Sequence, residues 1–176
     1  MTETVTGTNG RPDGSFWAFS LALYRRPGVA EACLALQDRF GADVTLLLLG
    51  FWRARRGFPG WADGELDRIA VAVAPVNAVL QPFRQARRAL KALQADEPAA
   101  VALYEQAKVL ELQVEQVAQA WAVAASRISP AIRVEGGDEV EHAAAHLAGC
   151  LDRFAPGDAA AMQLAADLLR AAFAGD

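Results

Sequence analysis

The chain has 176 residues, 53% hydrophobic and 22% charged, with a net charge of −4 and a pI near 5.2. That length supports one well-buried core, and the apolar share, much of it alanine, suits close-packed helices. The acidic balance argues against a binder of nucleic acid, because polyanion binders are usually basic.

The total conceals an asymmetry. Residues 1–95 hold 12 Lys and Arg against 8 Asp and Glu, whereas residues 96–176 hold 5 against 13. Two such halves can attract each other within one fold, the reading we prefer, or mark two partner-facing surfaces. The opening "MTETVTGTNGRP" is polar and lacks the apolar centre of a signal peptide, so we expect residues 1–12 to be a loose tail and 13–176 one helical domain. The densest apolar run, 44–52, is far short of the ~20 residues that span a bilayer. With neither Cys33 nor Cys150 in a CxxC pair, both are expected reduced and packed, and the protein cytoplasmic, without membrane insertion.

In chain order, Asp13 or Ser15 can cap a first helix, "SFWAFSLALY", with Phe16, Phe19 and Leu23 on one stripe and Trp17 beside it. Pro27 suits the opening turn of a second helix, because its missing N–H would be unpaired there. Val29, Cys33, Leu36 and Phe40 form that helix's apolar face. Gly41 then serves as a left-handed terminator and Asp43 as the N-cap of a third helix, 44–56, apolar on all sides for two turns and therefore central. Asp38 sits at the wrong end of the second helix for a carboxylate and calls for a cation, with Arg25, Arg26 and Arg39 nearby.

After the loop "GFPGWADG", Asp63 opens a fourth helix that Pro75 and Pro82 should break, giving a helix to about residue 74, a kinked piece to 81, and a new helix through 93. Asp96 and Pro98 open the longest helix, 98–125, in which Leu103, Ala107, Leu110, Val114, Val117, Trp121 and Ala124 alternate spacings of four and three. This seam either packs along the bundle or reaches a second subunit. "RISPAIRVEGG" reads as a mobile loop. Asp138 caps a helix to Phe154 with Val140, Ala144, Leu147 and Leu151 inward, and Asp158 caps the last, with Met162, Leu164, Ala165, Leu168, Leu169 and Phe173 as its apolar set. The expected fold is all-α, a bundle of about seven helices.

Arg84, Arg87, Arg88 and Lys91 fall at i, i+3, i+4 and i+7, one helical stripe. With Arg53, Arg55 and Arg56 they could face an anion, or they could be a solvated face paired with the acidic half. Glu139, His142, His146 and Cys150 share a second stripe, and His-x₃-His is a two-ligand spacing. Two histidines do not close a site, so the pair is read as a surface pair and no metal is expected. Cys33 lies on an apolar face, where thiols are inert. No nucleophile elbow, P-loop or dinucleotide fingerprint occurs, so neither catalytic residues nor a cofactor are assigned. Trp17, Tyr24, Trp52 and Trp61 could line a pocket or simply fill the core.

Residues 16–52, "FWAFSLALYRRPGVAEACLALQDRFGADVTLLLLGFW", contain W-x-F-S, Y-x-x-x-G-V, C-L-x-L-Q-D and G-x-D-V elements, and "VLQPFRQARRALK" follows. On Trp17, Ser20, Tyr24, Cys33, Gln37, Asp38, Asp43 and the Arg84–Lys91 stretch, the first 125 or so residues resemble a small proteobacterial family known as a domain of unknown function. The chain departs from that pattern at 73–77, where a Trp is expected. The resemblance implies no activity or substrate, and adds weight to Gln37 and Asp38 beyond capping.

The leading expectation is a non-catalytic interaction or adaptor domain. It would associate with a protein partner or with itself through the seam, and turn Arg84, Arg87, Arg88 and Lys91 toward an anionic partner. The alternative is a carrier or enzyme that holds a small molecule between helices, with Trp17, Tyr24, Gln37, Asp38 and Trp52 around the pocket.

Overall fold

The structure is a computed structural model and describes residues 15–95, 97–127 and 136–174. Among these are seven helices, α1 (Phe16–Tyr24), α2 (Val29–Phe40), α3 (Val44–Ala54), α4 (Glu65–Leu93), α5 (Ala99–Ser126), α6 (Glu139–Phe154) and α7 (Ala159–Phe173), and no strand. The mobile-loop expectation for 128–135, and the caps Asp13 and Asp96, lie outside the described residues.

Local chemistry sets most helix ends. Ser15 accepts from the Ala18 N–H, Asp138 from Val140 and Glu141, and Asp158 from Ala160 and Ala161, each satisfying donors that a first turn leaves unpaired. Gly41 stands at φ 69°, its N–H bonded to the Gln37 carbonyl while Ala42 reaches back to Leu36, so α2 stops there. Asp43 then accepts from the Thr45 N–H at 2.8 Å and starts α3. Two starts fall later than the sequence suggests. α2 begins at Val29, after Pro27 and a left-handed Gly28, and α4 begins at Glu65, after a left-handed Gly64.

α3 is buried from Leu46 to Ala54 and is the hub, touched by α1, α2, α5 and α6, while α7 closes over α2 and α6. α4 and α5 pair along their length as a hairpin whose arms, at 1.5 Å per residue, run to roughly 43 Å. Leu66, Ile69 and Val73 of α4 and Ala122 of α5 join the main core, so the hairpin is rooted at that end.

α4 is one continuous helix through Pro75 and Pro82, where two breaks were expected. The prolines are seven residues apart and both exposed, and the residues whose carbonyls lose a donor, Val71 and Ala78, are exposed as well. Water can serve those carbonyls, and packing of Val73, Val76 and Leu80 against the rest of the protein holds the helix together. On α5, the surface toward α4 is built from Ala100, Ala118 and Ala122 with Glu111 and Gln119 between them. Leu103, Leu110, Val117 and Trp121, the bulky members of the expected seam, stay about half exposed. Alanines let two backbones approach closely, so α5 gives its small face to α4 and turns its large one outward. Val140 and Met162, expected inward, are exposed.

The two charge halves meet inside the chain. Arg84 and Arg87 of α4 pair with Glu111 and Glu115 of α5, Arg55 lies 3.7 Å from Glu139, and Arg153 pairs with Asp67. No helix among the described residues is long and apolar enough to cross a membrane.

Candidate functional site

α1 and α2 lean over the middle of the hairpin and leave between them a cavity of about 300 Å³. Its lining mixes apolar side chains, Trp17, Leu21, Leu34, Val44, Leu48 and Leu112, with the polar Ser20, Tyr24, Gln37 and Gln119 and the charges of Arg84, Arg87, Arg88, Glu111 and Glu115. Three of the four stripe cations, Arg84, Arg87 and Arg88, and three of the pocket residues, Trp17, Tyr24 and Gln37, assigned separately from the sequence, therefore line one space, while Lys91 lies outside it.

The charges are organised. Arg84 Nη2 donates to Glu115 at 3.0 Å and its Nε lies 3.6 Å from Glu111, while Arg87 grips Glu111 through Nε and, at 3.3 Å, Nη2. The Glu111 hydrogen bond raises the Arg87 pKa above its ordinary value. Two of the four stripe cations are thus committed to α5, and Arg88 and Lys91 remain exposed. Burial, the largest cause, pushes the Tyr24 phenol up to about 12, so it is a neutral donor at physiological pH. Ser20 is 3% exposed and Gln119 7%, and neither Ser20 Oγ nor Gln119 Oε1 has a hydrogen-bond partner among the described residues. Buried polar atoms left unpaired are uncommon, and both of these residues line the cavity.

Other expected residues fall elsewhere. Trp52 is 2% exposed and packs on Phe16 at 5.6 Å between ring centres, in the core and not at the cavity. Asp38 is exposed and finds its cation in Arg88, 3.8 Å away across to α4, and not in Arg25, Arg26 or Arg39. Arg53 and Arg56 do not extend the stripe. Arg56 lies 4.1 Å over the Trp52 ring, and buried Arg53 holds Glu65 with two hydrogen bonds of 2.7 and 2.9 Å.

The expectation of a surface histidine pair is overturned. His146 is fully buried, its Nε2 3.1 Å from the Phe58 carbonyl and its ring edge-on to Trp61 at 4.7 Å. Trp61 Nε1 in turn donates to the His146 carbonyl at 2.8 Å, and Arg53 lies 4.8 Å over the Trp61 ring. Burial first, then the Arg53 charge, lowers the imidazole pKa to about 3. These contacts fasten the 57–64 loop onto α6. No group of three His, Cys, Asp or Glu among the described residues could hold a metal ion. Burial likewise raises the Cys33 thiol to about 12 and pushes up Cys150, so both are protonated.

Sequence reasoning missed Glu111, Glu115 and Gln119. Their signal was present: carboxylates four apart on α5 mirror arginines three apart on α4. Reading α5 by its large apolar residues hid the polar and alanine face.

The described fold is all-helical, with a cleft of mixed apolar and charged lining beneath its N-terminal helices. The chain belongs to the family described as a protein of unknown function, DUF2390, whose model matches residues 15–121. All cavity-lining residues fall inside that segment, whereas α6 and α7 lie outside it. No curated protein and no solved structure matches the chain.

Proposed function

We propose that this chain is a non-catalytic interaction module of the cytoplasm that pairs with a second copy of itself through the outward face of α5. The observation that carries the reading is the stripe of Leu103, Leu110, Val117 and Trp121, half exposed on a helix that already has a complete second face against α4. Spacings of seven and four keep these side chains in line over about five turns, the spacing of a helix-to-helix seam. Beside them Gln106, Gln113 and Ala120 form an exposed, uncharged row, so a second copy meets no like-charge repulsion along that flank. Four half-exposed side chains open well under the ~800 Å² that each partner buries in a standard interface, so the pair is weak and reversible. The buried, unpaired cysteines accord with a reducing compartment, and their protonated thiols with a lack of nucleophilic chemistry. An anionic partner is left out of the reading, because Arg84 and Arg87 are already matched by α5.

Sedimentation velocity over a concentration series tests it. The expected outcome is a monomer that passes to dimer in the range of tens to hundreds of micromolar. Trp121→Glu should hold the chain monomeric with an unchanged circular-dichroism spectrum. A wild-type chain that stays monomeric throughout, or a Trp121→Glu variant that dimerises equally, refutes the proposal.

A further inference from the structure

The charges of the α4–α5 hairpin are confined to one of its two sides. Outward from Arg68 at the root, α4 carries no charge as far as residue 83, and then Arg84, Arg87, Arg88 and Lys91. On α5 the charged residues are Glu105, Lys108, Glu111 and Glu115. Arg84 pairs with Glu111 and Glu115, and all three line the cavity beneath α1 and α2, so these flanks of the two helices meet on that side. Glu105 and Lys108 share a groove with Arg87, Glu111 and Glu115 and continue the same flank. The opposite flanks are uncharged. Ala72, Val79, Ala86 and Leu93 recur on α4 at intervals of seven, and Leu103, Leu110, Val117 and Ala124 do the same on α5. Val79 and Ala86 stand one position before buried Leu80 and paired Arg87, and Leu110 and Val117 one before buried Glu111 and Ala118. An antiparallel pair has a local two-fold axis normal to its plane, which carries one such flank onto the other without changing sides. The two rows therefore lie together, facing away from α1 and α2. Val79 and Leu93 are about half exposed, as are Leu103, Leu110 and Val117, and Ala86 and Ala124 are exposed.

We propose that two copies dock hairpin on hairpin, so that α4 and α5 of each protomer form a four-helix bundle across this uncharged side. The inference rests on the α5 pairing proposed above and adds α4 to it. A second copy is the occupant because the face has no charge for a differently charged partner to read, whereas it matches itself under a two-fold axis and closes as a pair. The α4 row also brings the surface on offer from a single helix edge toward the ~800 Å² of a standard interface. Ala72, Ala86 and Ala124 let facing helices approach closely, as in bundles, yet keep the added face shallow, so the pair stays reversible.

Sedimentation velocity of the full chain, with substitutions on α4 alone, tests this. Val79→Glu and Ala86→Glu should each weaken pairing tenfold or more, with circular dichroism unchanged. Ala86 is exposed, so its variant carries the test even where Val79→Glu disturbs folding. Ala92→Glu, one turn beyond Arg88 on the charged flank, should leave pairing within twofold of the wild type. A wild type that dimerises, loses the dimer on Trp121→Glu and keeps it on Ala86→Glu overturns the four-helix arrangement and leaves α5 pairing standing by itself. Equal weakening by Ala92→Glu and Ala86→Glu also overturns it, since added charge anywhere on α4 would then suffice. A wild type that is monomeric at every concentration removes both this inference and the α5 pairing beneath it.

Discussion

Replacing Glu65 by Leu removes the carboxylate bonded to Arg53, a cation whose side chain is 3% exposed. Glu65 supplies both bonds of the bidentate pair, at 2.7 and 2.9 Å, and its Oε2 also accepts from the Ala62 N–H at 3.0 Å. Without it, Arg53 keeps its bond to the Gly60 carbonyl and its stacking on Phe58 and Trp61, none of which neutralises its charge. Burial already lowers the Arg53 pKa, with Glu65 the chief opposing influence, so the guanidinium is poorly hydrated where it stands. Breaking one side of a buried pair costs about 3–5 kcal/mol, and the stranded Ala62 N–H adds about 1 kcal/mol. Against a typical stability of about 5–15 kcal/mol, that is roughly a quarter or more of the total. Urea titration followed by circular dichroism, with Trp61 fluorescence as a local probe beside Arg53, measures it. The double change Arg53→Met with Glu65→Leu should recover most of the loss, because a well-packed apolar pair costs little once no charge is stranded. A single-variant loss below about 1 kcal/mol, or a double variant no better than the single, would refute the account of the 57–64 loop as charge-locked.

The buried histidine sets a pH window. Its folded pKa of about 3 lies below the free value of 6.5, so the unfolded chain binds the proton first as pH falls. The His146 contribution is therefore complete above pH 6.5 and is lost at up to about 1.4 kcal/mol per pH unit as pH falls toward 3. His146→Gln should flatten the fall in Tm between pH 6.5 and 4, and an unchanged slope would count against the assignment. Close packing gives a third test: a Cβ on Gly149 would stand 2.5 Å from Trp61 Cδ1, and Trp61 is bonded to the His146 carbonyl and cannot swing away freely. Gly149→Ala should cost about 1–3 kcal/mol by denaturant titration, although alanine is the better helix former; a stabilised variant would sink the argument.

The sequence alone determined the all-helical class, seven elements and most of their ends. Those features are local, since Ser15, Gly41, Asp43, Asp138 and Asp158 each act on backbone groups within a few residues of themselves. It also determined that α3 is central, because a helix apolar on every side has nowhere else to go. Which of two apolar faces of α5 would meet α4 was decided only in three dimensions, where close approach favoured alanines over leucines. His146 lay beyond periodicity for a similar reason. α6 packs against α3 and α7 and is covered by the 57–64 loop, so its buried arc is wider than one stripe predicts. The cavity needed tertiary structure most. Ser20, Arg84 and Gln119 sit on three helices up to 99 positions apart, and only the lean of α1 and α2 over the hairpin puts them around one space.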